Sequence, residues 1–246
     1  SPPPRSPSAL LWSFPNLNFE LSRSVPPYAP PMPPAPANLV VFDHPLIQHK
    51  LSYIRDRSLS HRPFRALLYQ IAGLMVFEAT RSFPTVEIDV DTPLERTRCR
   101  RLKDNGSTIT VVPVLRSGLV MSEGILEMMP EARVGHLGLA RDEHSLKPVT
   151  YLKRLPRDLA AGPVLLVDPM LATGGSASSA LSILKAEGAR DVRMLCLVAS
   201  PEGIARLAKD HPDVWIYAAA VDRELNSVGY ILPGLGDAGD RMYGTT

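Results

Sequence analysis

The chain has few cysteines and no long apolar run, and both shortages narrow the class of protein. Only Cys99 and Cys196 are present, and Cys196 lies inside the apolar run at 194–199. Such a thiol is more typical of a reduced, buried residue than of a disulfide partner, so the sequence favours a reducing compartment. The apolar runs at 71–77 and 194–199 are far shorter than the roughly 18–20 residues that span a bilayer. We therefore expect a protein that does not span a membrane.

An excess of charge of one sign is also lacking. The 246 residues include 27 basic and 25 acidic ones, which gives a formal net charge of +2. Proteins that bind nucleic acid through its phosphate backbone carry a clearer basic excess, so nucleic acid is not the expected partner. The chain also lacks the Gly-x-x-x-x-Gly-Lys-Ser/Thr sequence that indicates a P-loop kinase domain.

Proline, by contrast, is abundant at the N-terminus. Twelve of the 25 prolines fall in the first 36 residues, where they block helices and interior strands. We expect a Pro-rich arm over 1–37 and one catalytic domain over 38–246. The arm carries Arg5 and Arg23 against one acid, Glu20, which is typical of a segment that targets a plastid or another organelle. A disordered linker in a cytoplasmic protein is the alternative.

Periodicity beyond the arm predicts an α/β domain. Apolar residues at helical spacing predict helices over 45–57, 63–80, 119–129, 176–187 and 204–209. An alternating segment and short β-branched runs predict strands over 85–91, 109–115, 134–139, 164–168, 192–199 and 214–221. This alternation is typical of a mostly parallel central sheet flanked by helices. The first two helices would cover the sheet or form a subunit contact.

Residues 164–176 read Val-Leu-Leu-Val-Asp-Pro-Met-Leu-Ala-Thr-Gly-Gly-Ser and lead from a buried strand through a turn into a helix. Such a turn cradles phosphate, because its glycines let the backbone approach an anion and the helix N-terminus offers unpaired amides. Thr173 and Ser176 add hydroxyl donors. Asp168 at the strand end is placed to accept hydrogen bonds from sugar hydroxyls. A glycine pair that serves only a tight turn is the alternative.

Two further segments carry candidate binding groups. The strand at 112–115 ends in Arg116-Ser117-Gly118, and a guanidinium beside a glycine suits a bidentate grip on a diphosphate, although a lone arginine is more often a surface charge. Residues 225–241 pack four glycines into eleven positions, 229–239. With Tyr230 and Ile231 beside them, these glycines indicate a tight loop folded around a small planar ligand.

Together these segments resemble the uracil phosphoribosyltransferases, a family of type I phosphoribosyltransferases, over about residues 42–246. Asp-Pro-Met-Leu-Ala-Thr-Gly-Gly is the family's form of the phosphoribosyl pyrophosphate loop, with Pro169 where the superfamily has a second acid. Leu-Arg-Ser-Gly at 115–118 and Arg-Asp-Glu at 141–143 match its pyrophosphate segments. The following His-Ser-Leu-Lys-Pro departs from a more acidic family pattern, and we expect His144 to be a solvated loop residue.

The resemblance implies the type I phosphoribosyltransferase fold, with a C-terminal hood over the base, and a role for each matching residue. Arg116 and Asp237 would act in catalysis. Uracil would be bound by Ile231, Gly236, Asp237 and Ala238. Magnesium would be held mainly by the phosphoribosyl pyrophosphate, with no direct protein ligand. The donor would be bound by Arg116, Arg141, Asp168, Pro169, Met170, Leu171, Ala172, Thr173, Gly174, Gly175, Ser176 and Asp237.

The activity implied by the resemblance is the formation of uridine monophosphate and pyrophosphate from uracil and phosphoribosyl pyrophosphate, by a homodimer. Fixed backbone donors and acceptors would reject cytosine at roughly 1–3 kcal/mol for each lost hydrogen bond. Asp240 and Arg241 are expected to pair with each other and shape the loop rather than contact the ligand.

Three alternatives to this activity are open. One is a phosphoribosyltransferase acting on a purine or on orotate, which the C-terminal segment disfavours. Another is an RNA-binding regulator on the same fold, which the small net charge disfavours. The third is a subunit of a larger assembly that docks through the apolar cluster at 10–19 of the arm.

Overall fold

The computed structural model describes residues 38–141 and 148–245. The arm predicted over 1–37, with its apolar cluster at 10–19, lies outside the described residues. The same holds for the Asp-Glu of the second pyrophosphate segment and for His144. In the described ranges, every helix is too short or too polar to span a bilayer.

The described residues form thirteen strands and six α-helices. The strands are β1 (Leu39–Val41), β2 (Thr85–Asp91), β3 (Arg96–Leu102), β4 (Thr110–Leu115), β5 (Arg133–Val134), β6 (His136–Arg141), β7 (Pro148–Arg154), β8 (Val164–Val167), β9 (Met170–Leu171), β10 (Val192–Ala199), β11 (Trp215–Val221), β12 (Glu224–Leu225) and β13 (Ile231–Leu232). The helices are α1 (Pro45–Arg55), α2 (His61–Ala79), α3 (Leu119–Met128), α4 (Gly175–Ala186), α5 (Pro201–Asp210) and α6 (Ala238–Tyr243).

The central sheet runs in the order β1-β11-β10-β8-β4-β6-β7, with β5 beside β4 and β9 beside β10. Its strand pairs are parallel except for β6 with β7, which is antiparallel. The prediction of a mostly parallel central sheet flanked by helices is therefore confirmed. The five predicted helices are all present, and their bounds differ from the predicted ones by three residues at most.

Alternate residues of the central strands face opposite layers of helices. In β8, Leu165 and Val167 pack in one cluster with α1, α2 and α3, whereas Val164 and Leu166 pack in another with α4 and α5. All four side chains are fully buried. A strand buried on both faces reads as a continuous apolar run, which is why β8 and β10 stand out in the sequence. Helices α1 and α2 thus cover the sheet.

Some elements were not predicted. Strand β3 carries four arginines and pairs with β2 in a hairpin apart from the central sheet, where Arg96 lies 3.1 Å from Asp89 and Arg98 lies 3.5 Å from Glu87. The strand expected over 134–139 is divided at Gly135 into β5 and β6. Strands β1, β7, β9, β12 and β13 and helix α6 were also missed, because they are short or lie at edges.

The sheet order reverses between β4 and β8. From β4 the chain goes outward to β6, returns to β8 on the other side of β4, and then continues outward to β10 and β11. Pro113 of β4 is aligned with Val167 of β8 in a parallel pair, so the carboxyl ends of these strands lie side by side. Ligands of open α/β sheets bind in the crevice at such a reversal. The crevice beside Arg116, Ser117 and Asp168 is therefore the expected ligand site.

Candidate active site

The two strand ends at the reversal carry groups that touch. Ser117 Oγ donates a hydrogen bond to Asp168 Oδ1 at 2.9 Å, and the Met170 N–H donates to the same oxygen at 3.5 Å. Burial raises the pKa of Asp168 to about 7, although these two hydrogen bonds lower it, and the charge of Asp237 adds a smaller upward effect. A carboxyl with this pKa is about half ionised at neutral pH. The sequence alone did not pair Ser117 with Asp168.

A cleft of about 610 Å³ opens over these strand ends. This volume suits a small-molecule substrate. Three predicted segments meet in it: the end of β4, the loop after β8 and the glycine-rich C-terminal segment. Its lining residues are Leu115, Arg116, Ser117, Leu139, Ala140, Tyr151, Asp168, Met170, Ala172, Val228, Gly229, Tyr230, Ile231, Gly236, Asp237, Ala238 and Gly239.

The loop after β8 is held against the first turn of α5. Ser200 Oγ donates to the Ala172 carbonyl at 2.6 Å and accepts from the Gly203 N–H at 2.9 Å. A Cβ on Gly203 would lie 2.7 Å from the Leu171 carbonyl oxygen, so a glycine lets α5 pack this closely. The chain then turns at Gly174, with φ of 72°, into α4. The first N–H groups of a helix have no acceptor within it, and in α4 they point out of this turn.

The predicted donor-binding residues of this loop fall into three groups. Asp168, Met170 and Ala172 line the cleft. Pro169 and Leu171 are buried. The stretch from Thr173 to Ser176 lies beyond the cleft lining, at the N-terminus of α4. The loop thus offers a cleft wall and, beside it, a separate group of helix-terminal amides.

The four residues predicted to bind uracil lie together in the cleft. Ile231 and Ala238 are buried, at 4% and 2% exposed. Gly236 has a φ of 79°, a left-handed conformation that favours glycine. Asp237 Oδ1 accepts a hydrogen bond from the Asp240 N–H at 2.9 Å and so caps α6. This helix starts within the glycine-rich segment, for which the sequence predicts only a loop.

Arg116 is exposed at the cleft and lies against the C-terminal helix. The Tyr243 hydroxyl donates to the Arg116 carbonyl at 3.3 Å, and the guanidinium lies 5.9 Å from the centre of the Tyr243 ring. The second predicted arginine, Arg141, ends β6, the strand next to β4. The structure describes the backbone of Arg141 but not its side chain, so only the backbone is placed at this edge of the sheet.

Comparison with known proteins agrees with this geometry. The family model described as uracil phosphoribosyltransferase matches residues 40–245. The chain belongs to the uracil phosphoribosyltransferase family. It is 52% identical over 207 residues to the uracil phosphoribosyltransferase of Dictyoglomus thermophilum, and the match covers 84% of this chain and 99% of that protein. It is 55% identical over 207 residues to the uracil phosphoribosyltransferase of Acholeplasma laidlawii, with 84% and 98% covered.

A solved structure has the same fold as this chain. A protein from Aquifex aeolicus superposes with a TM-score of 0.80 at 38% identity, and the match covers 85% of this chain and 99% of that chain. The type I phosphoribosyltransferase fold expected of a family member therefore spans nearly the whole described part of the chain.

The glycine-rich C-terminal segment at 229–239 is fixed by Arg55 of α1. Its two terminal nitrogens lie 2.6 and 2.8 Å from the carboxylate oxygens of Asp222, and one of them also donates to the Gly234 carbonyl at 2.7 Å. Asp222 is buried and accepts a further hydrogen bond from the Gly234 N–H at 2.8 Å. Helix α1 thus holds this segment in shape.

Arg241 fixes the same segment from its C-terminal side. The prediction that Arg241 forms an ion pair with Asp240 is wrong. Arg241 donates to the carbonyls of Ile54 and Leu235, each at 2.8 Å, and its guanidinium lies 4.5 Å from the centre of the Phe64 ring. Asp240 instead accepts from the Thr245 hydroxyl at 2.7 Å. Arg241 therefore shapes the loop through backbone carbonyls.

Within the described ranges, no group of three or more His, Cys, Asp or Glu side chains is placed to hold a metal ion. The cleft does contain two carboxylates, Asp168 and Asp237. Carboxylate oxygens suit Mg²⁺, which keeps most of its waters and is often held by one or two protein oxygens together with substrate phosphates. The residues present therefore fit a magnesium ion that arrives with a phosphorylated substrate.

Proposed function

We propose that this chain transfers the phosphoribosyl group of phosphoribosyl pyrophosphate to N1 of uracil, which forms uridine monophosphate and releases pyrophosphate. The observation that supports this most directly is that a single cleft is lined by the phosphoribosyl-binding strand ends on one side and by Ile231, Gly236 and Ala238 on the other. N1 would form a bond to C1′ as the bond from C1′ to the pyrophosphate oxygen breaks, with inversion at that carbon, and the proton of N1 would be lost to solvent.

The positions of the polar groups divide the donor into three parts. Arg116 would grip the pyrophosphate, because a guanidinium binds phosphate oxygens in a bidentate manner. Asp168 would accept hydrogen bonds from the ribose hydroxyls. The helix-terminal amides from Thr173 to Ser176 would bind the phosphate at C5′. Catalysis would then rest mainly on positioning and on electrostatic stabilisation of the leaving group.

Magnesium would be bound chiefly through oxygens of the pyrophosphate and ribose, and the carboxylates of Asp168 and Asp237, which line the same cleft, would hold its waters. When bound, the ion supplies positive charge that offsets the charge developing on the leaving pyrophosphate. Asp237 would also contact both substrates, because it belongs to the loop proposed to bind uracil and lines the same cleft as Asp168.

We expect Asp237→Asn to lower turnover about 100-fold or more with almost no loss of stability. Asparagine is as good a helix N-cap as aspartate, so the hydrogen bond from the Asp240 N–H is kept while the negative charge is lost. Asp237→Ala should lose both and unfold more easily, by about 1 kcal/mol. Steady-state kinetics and thermal melting of both variants separate the two effects. Turnover that is normal in the asparagine variant would remove Asp237 from the reaction.

The proposed function is tested by assaying the chain with phosphoribosyl pyrophosphate, magnesium and one base at a time. We expect uridine monophosphate from uracil and little or no product from cytosine, hypoxanthine or orotate. Turnover of hypoxanthine or orotate in preference to uracil would assign another substrate. Binding of the donor with no turnover of any base would favour the alternative of a structural or regulatory subunit.

We also propose that the chain forms a homodimer, because large apolar side chains are exposed on α2, α3 and the β2–β3 hairpin. Phe77 is 75% exposed and Met128 59% exposed, and the two helices that carry them pack together. Leu94 at the hairpin tip is 96% exposed. Apolar patches of this kind mark interaction surfaces.

The variant Phe77→Asp is therefore expected to shift the dimer towards monomer. A charge placed in an apolar interface loses its hydration when the two chains associate, which disfavours the dimer. Light scattering during size-exclusion chromatography should give about twice the mass of one chain for the wild type and about one chain for the variant. Val149→Asp, an exposed position on β7, serves as the matched control. A wild-type chain that stays monomeric at high concentration would contradict the proposal.

A further inference from the structure

We propose that Arg206 of α5 is a further substrate-binding residue, which contacts the phosphate at C5′ of the phosphoribosyl group. The inference rests on the proposed function, because it names one more residue of that same site. Nothing in the sequence pattern singled out this arginine, which lies on a helix with other charged residues and outside the three recognised segments.

The first observation is the position of the side chain. A Cβ placed on Gly175, the first residue of α4, would lie 3.5 Å from Arg206 Nη1. A Cβ on Gly174 would lie 3.3 Å from the Cβ of Arg206. The guanidinium therefore lies against the turn whose amides are proposed to bind the phosphate. Glycine at both positions leaves room for this approach.

The second observation is that Asp210 orients the Arg206 side chain. Its Nε lies 3.4 Å from Asp210 Oδ2, and the same oxygen accepts a hydrogen bond from Ser178 Oγ at 2.8 Å. The Ser178 hydroxyl, followed by Arg206, holds the pKa of Asp210 below its ordinary value, so the carboxylate is charged at neutral pH. Ser178 itself lies on α4, one turn after Gly174. Asp210 thus links Arg206 to the helix whose N-terminus forms the phosphate turn.

The pairing with Asp210 leaves the terminal nitrogens of Arg206 free to bind a ligand. Among the described residues, neither terminal nitrogen of Arg206 has a hydrogen-bond partner, since its contact with Asp210 is made through Nε. An ordinary i,i+4 ion pair on an exposed helix would be satisfied by that contact alone. Here Nη1 lies beside the turn, and a phosphate held there would accept its hydrogen bond.

This placement predicts a particular kinetic pattern. The phosphate at C5′ takes no part in bond breaking at C1′, so Arg206 would stabilise the bound donor and the transition state equally. Loss of such uniform binding raises KM and leaves kcat almost unchanged. We expect Arg206→Ala to raise the KM for phosphoribosyl pyrophosphate about tenfold, the scale of one charge-assisted hydrogen bond. Arg206→Lys should recover part of the loss.

The test is titration calorimetry of the full chain with three ligands: uridine monophosphate, uracil and inorganic pyrophosphate. Arg206→Ala should bind uridine monophosphate about tenfold more weakly and pyrophosphate as tightly as the wild type, with uracil unaffected in the presence of pyrophosphate. Lys209→Ala is the matched control, because it removes one exposed positive charge from the same helix. It should leave all three affinities within twofold.

The outcomes separate this inference from the function on which it rests. If the wild type binds uridine monophosphate and Arg206→Ala binds it equally well, the role of Arg206 is overturned and the proposed function stands. An equal loss in Lys209→Ala, or an equal loss for pyrophosphate, would also overturn it, because general charge would then be the cause. If the wild type binds none of the three ligands, the proposed function fails, and the role of Arg206 fails with it.

Discussion

Arg116→Ala is expected to lower turnover of uracil about 100-fold or more while leaving the free energy of unfolding almost unchanged. Charge develops on the pyrophosphate as it leaves, and removal of one well-placed donor to such a charge costs about 10²–10³ in kcat. The Arg116 side chain is exposed and lies 5.9 Å from the Tyr243 ring, with no hydrogen bond to another described residue. Surface substitutions of this kind change stability by only about 0.5 kcal/mol.

The measurement is steady-state kinetics together with thermal melting. Arg190→Ala is a suitable control, since Arg190 is exposed and precedes β10, at the amino edge of the sheet opposite the cleft. We expect the control to keep wild-type turnover, and Arg116→Lys to keep only part of it, because an ammonium does not make the bidentate contact of a guanidinium. Wild-type turnover in Arg116→Ala would assign the pyrophosphate to another group.

The sheet was predictable where local sequence and final environment agree. Strands β8 and β10 are buried on both faces, so a continuous apolar run is all that their environment requires. Strand β3 could not be found in this way, because its arginines are stabilised by the acids of β2. In the hairpin Arg96 lies 3.1 Å from Asp89 and Arg98 lies 3.5 Å from Glu87, and this complementarity exists only once the two strands are paired.

The candidate site shows the same division. Each of its three segments is a continuous stretch of sequence, so local motifs were enough to predict that Asp168, Arg116 and Ile231 lie in one cleft. The supporting contacts join residues far apart in the chain, such as Arg55 with Asp222 and Tyr243 with Arg116. Such pairs depend on the sheet order and on helix packing, neither of which a single motif encodes.

Asp168→Asn is expected to have opposite effects on activity and stability. Because burial raises the pKa of Asp168 to about 7, the native state binds a proton more tightly than the unfolded chain, in which the pKa is near 3.9. The stabilisation that comes from this tighter proton binding is therefore fully present below about pH 4. It is lost progressively as the pH rises to about 7. The loss approaches roughly 4 kcal/mol at higher pH, which is an upper limit for this group.

Asparagine has no charge to bury, and its side-chain oxygen can still accept the hydrogen bond from Ser117. We therefore expect the Asp168→Asn variant to melt several degrees above the wild type at pH 8, since 1 kcal/mol corresponds to roughly 2–4 °C in a chain of this size. The difference should shrink towards zero as the pH is lowered to 4. A gap that is constant with pH would show that burial of the charge is not its cause.

The same variant should lose most of its activity, because a ribose hydroxyl donates more strongly to a carboxylate than to an amide oxygen. Hydrogen bonds from the ribose also favour the charged form of Asp168, so binding of phosphoribosyl pyrophosphate below pH 7 should release a proton. Calorimetry in buffers of different ionisation enthalpy measures that proton. The release should be about half a proton at pH 7 and should be absent in Asp168→Asn. The destabilised carboxyl of the free protein would then be the group that the substrate stabilises, and a wild type that releases no proton would contradict this.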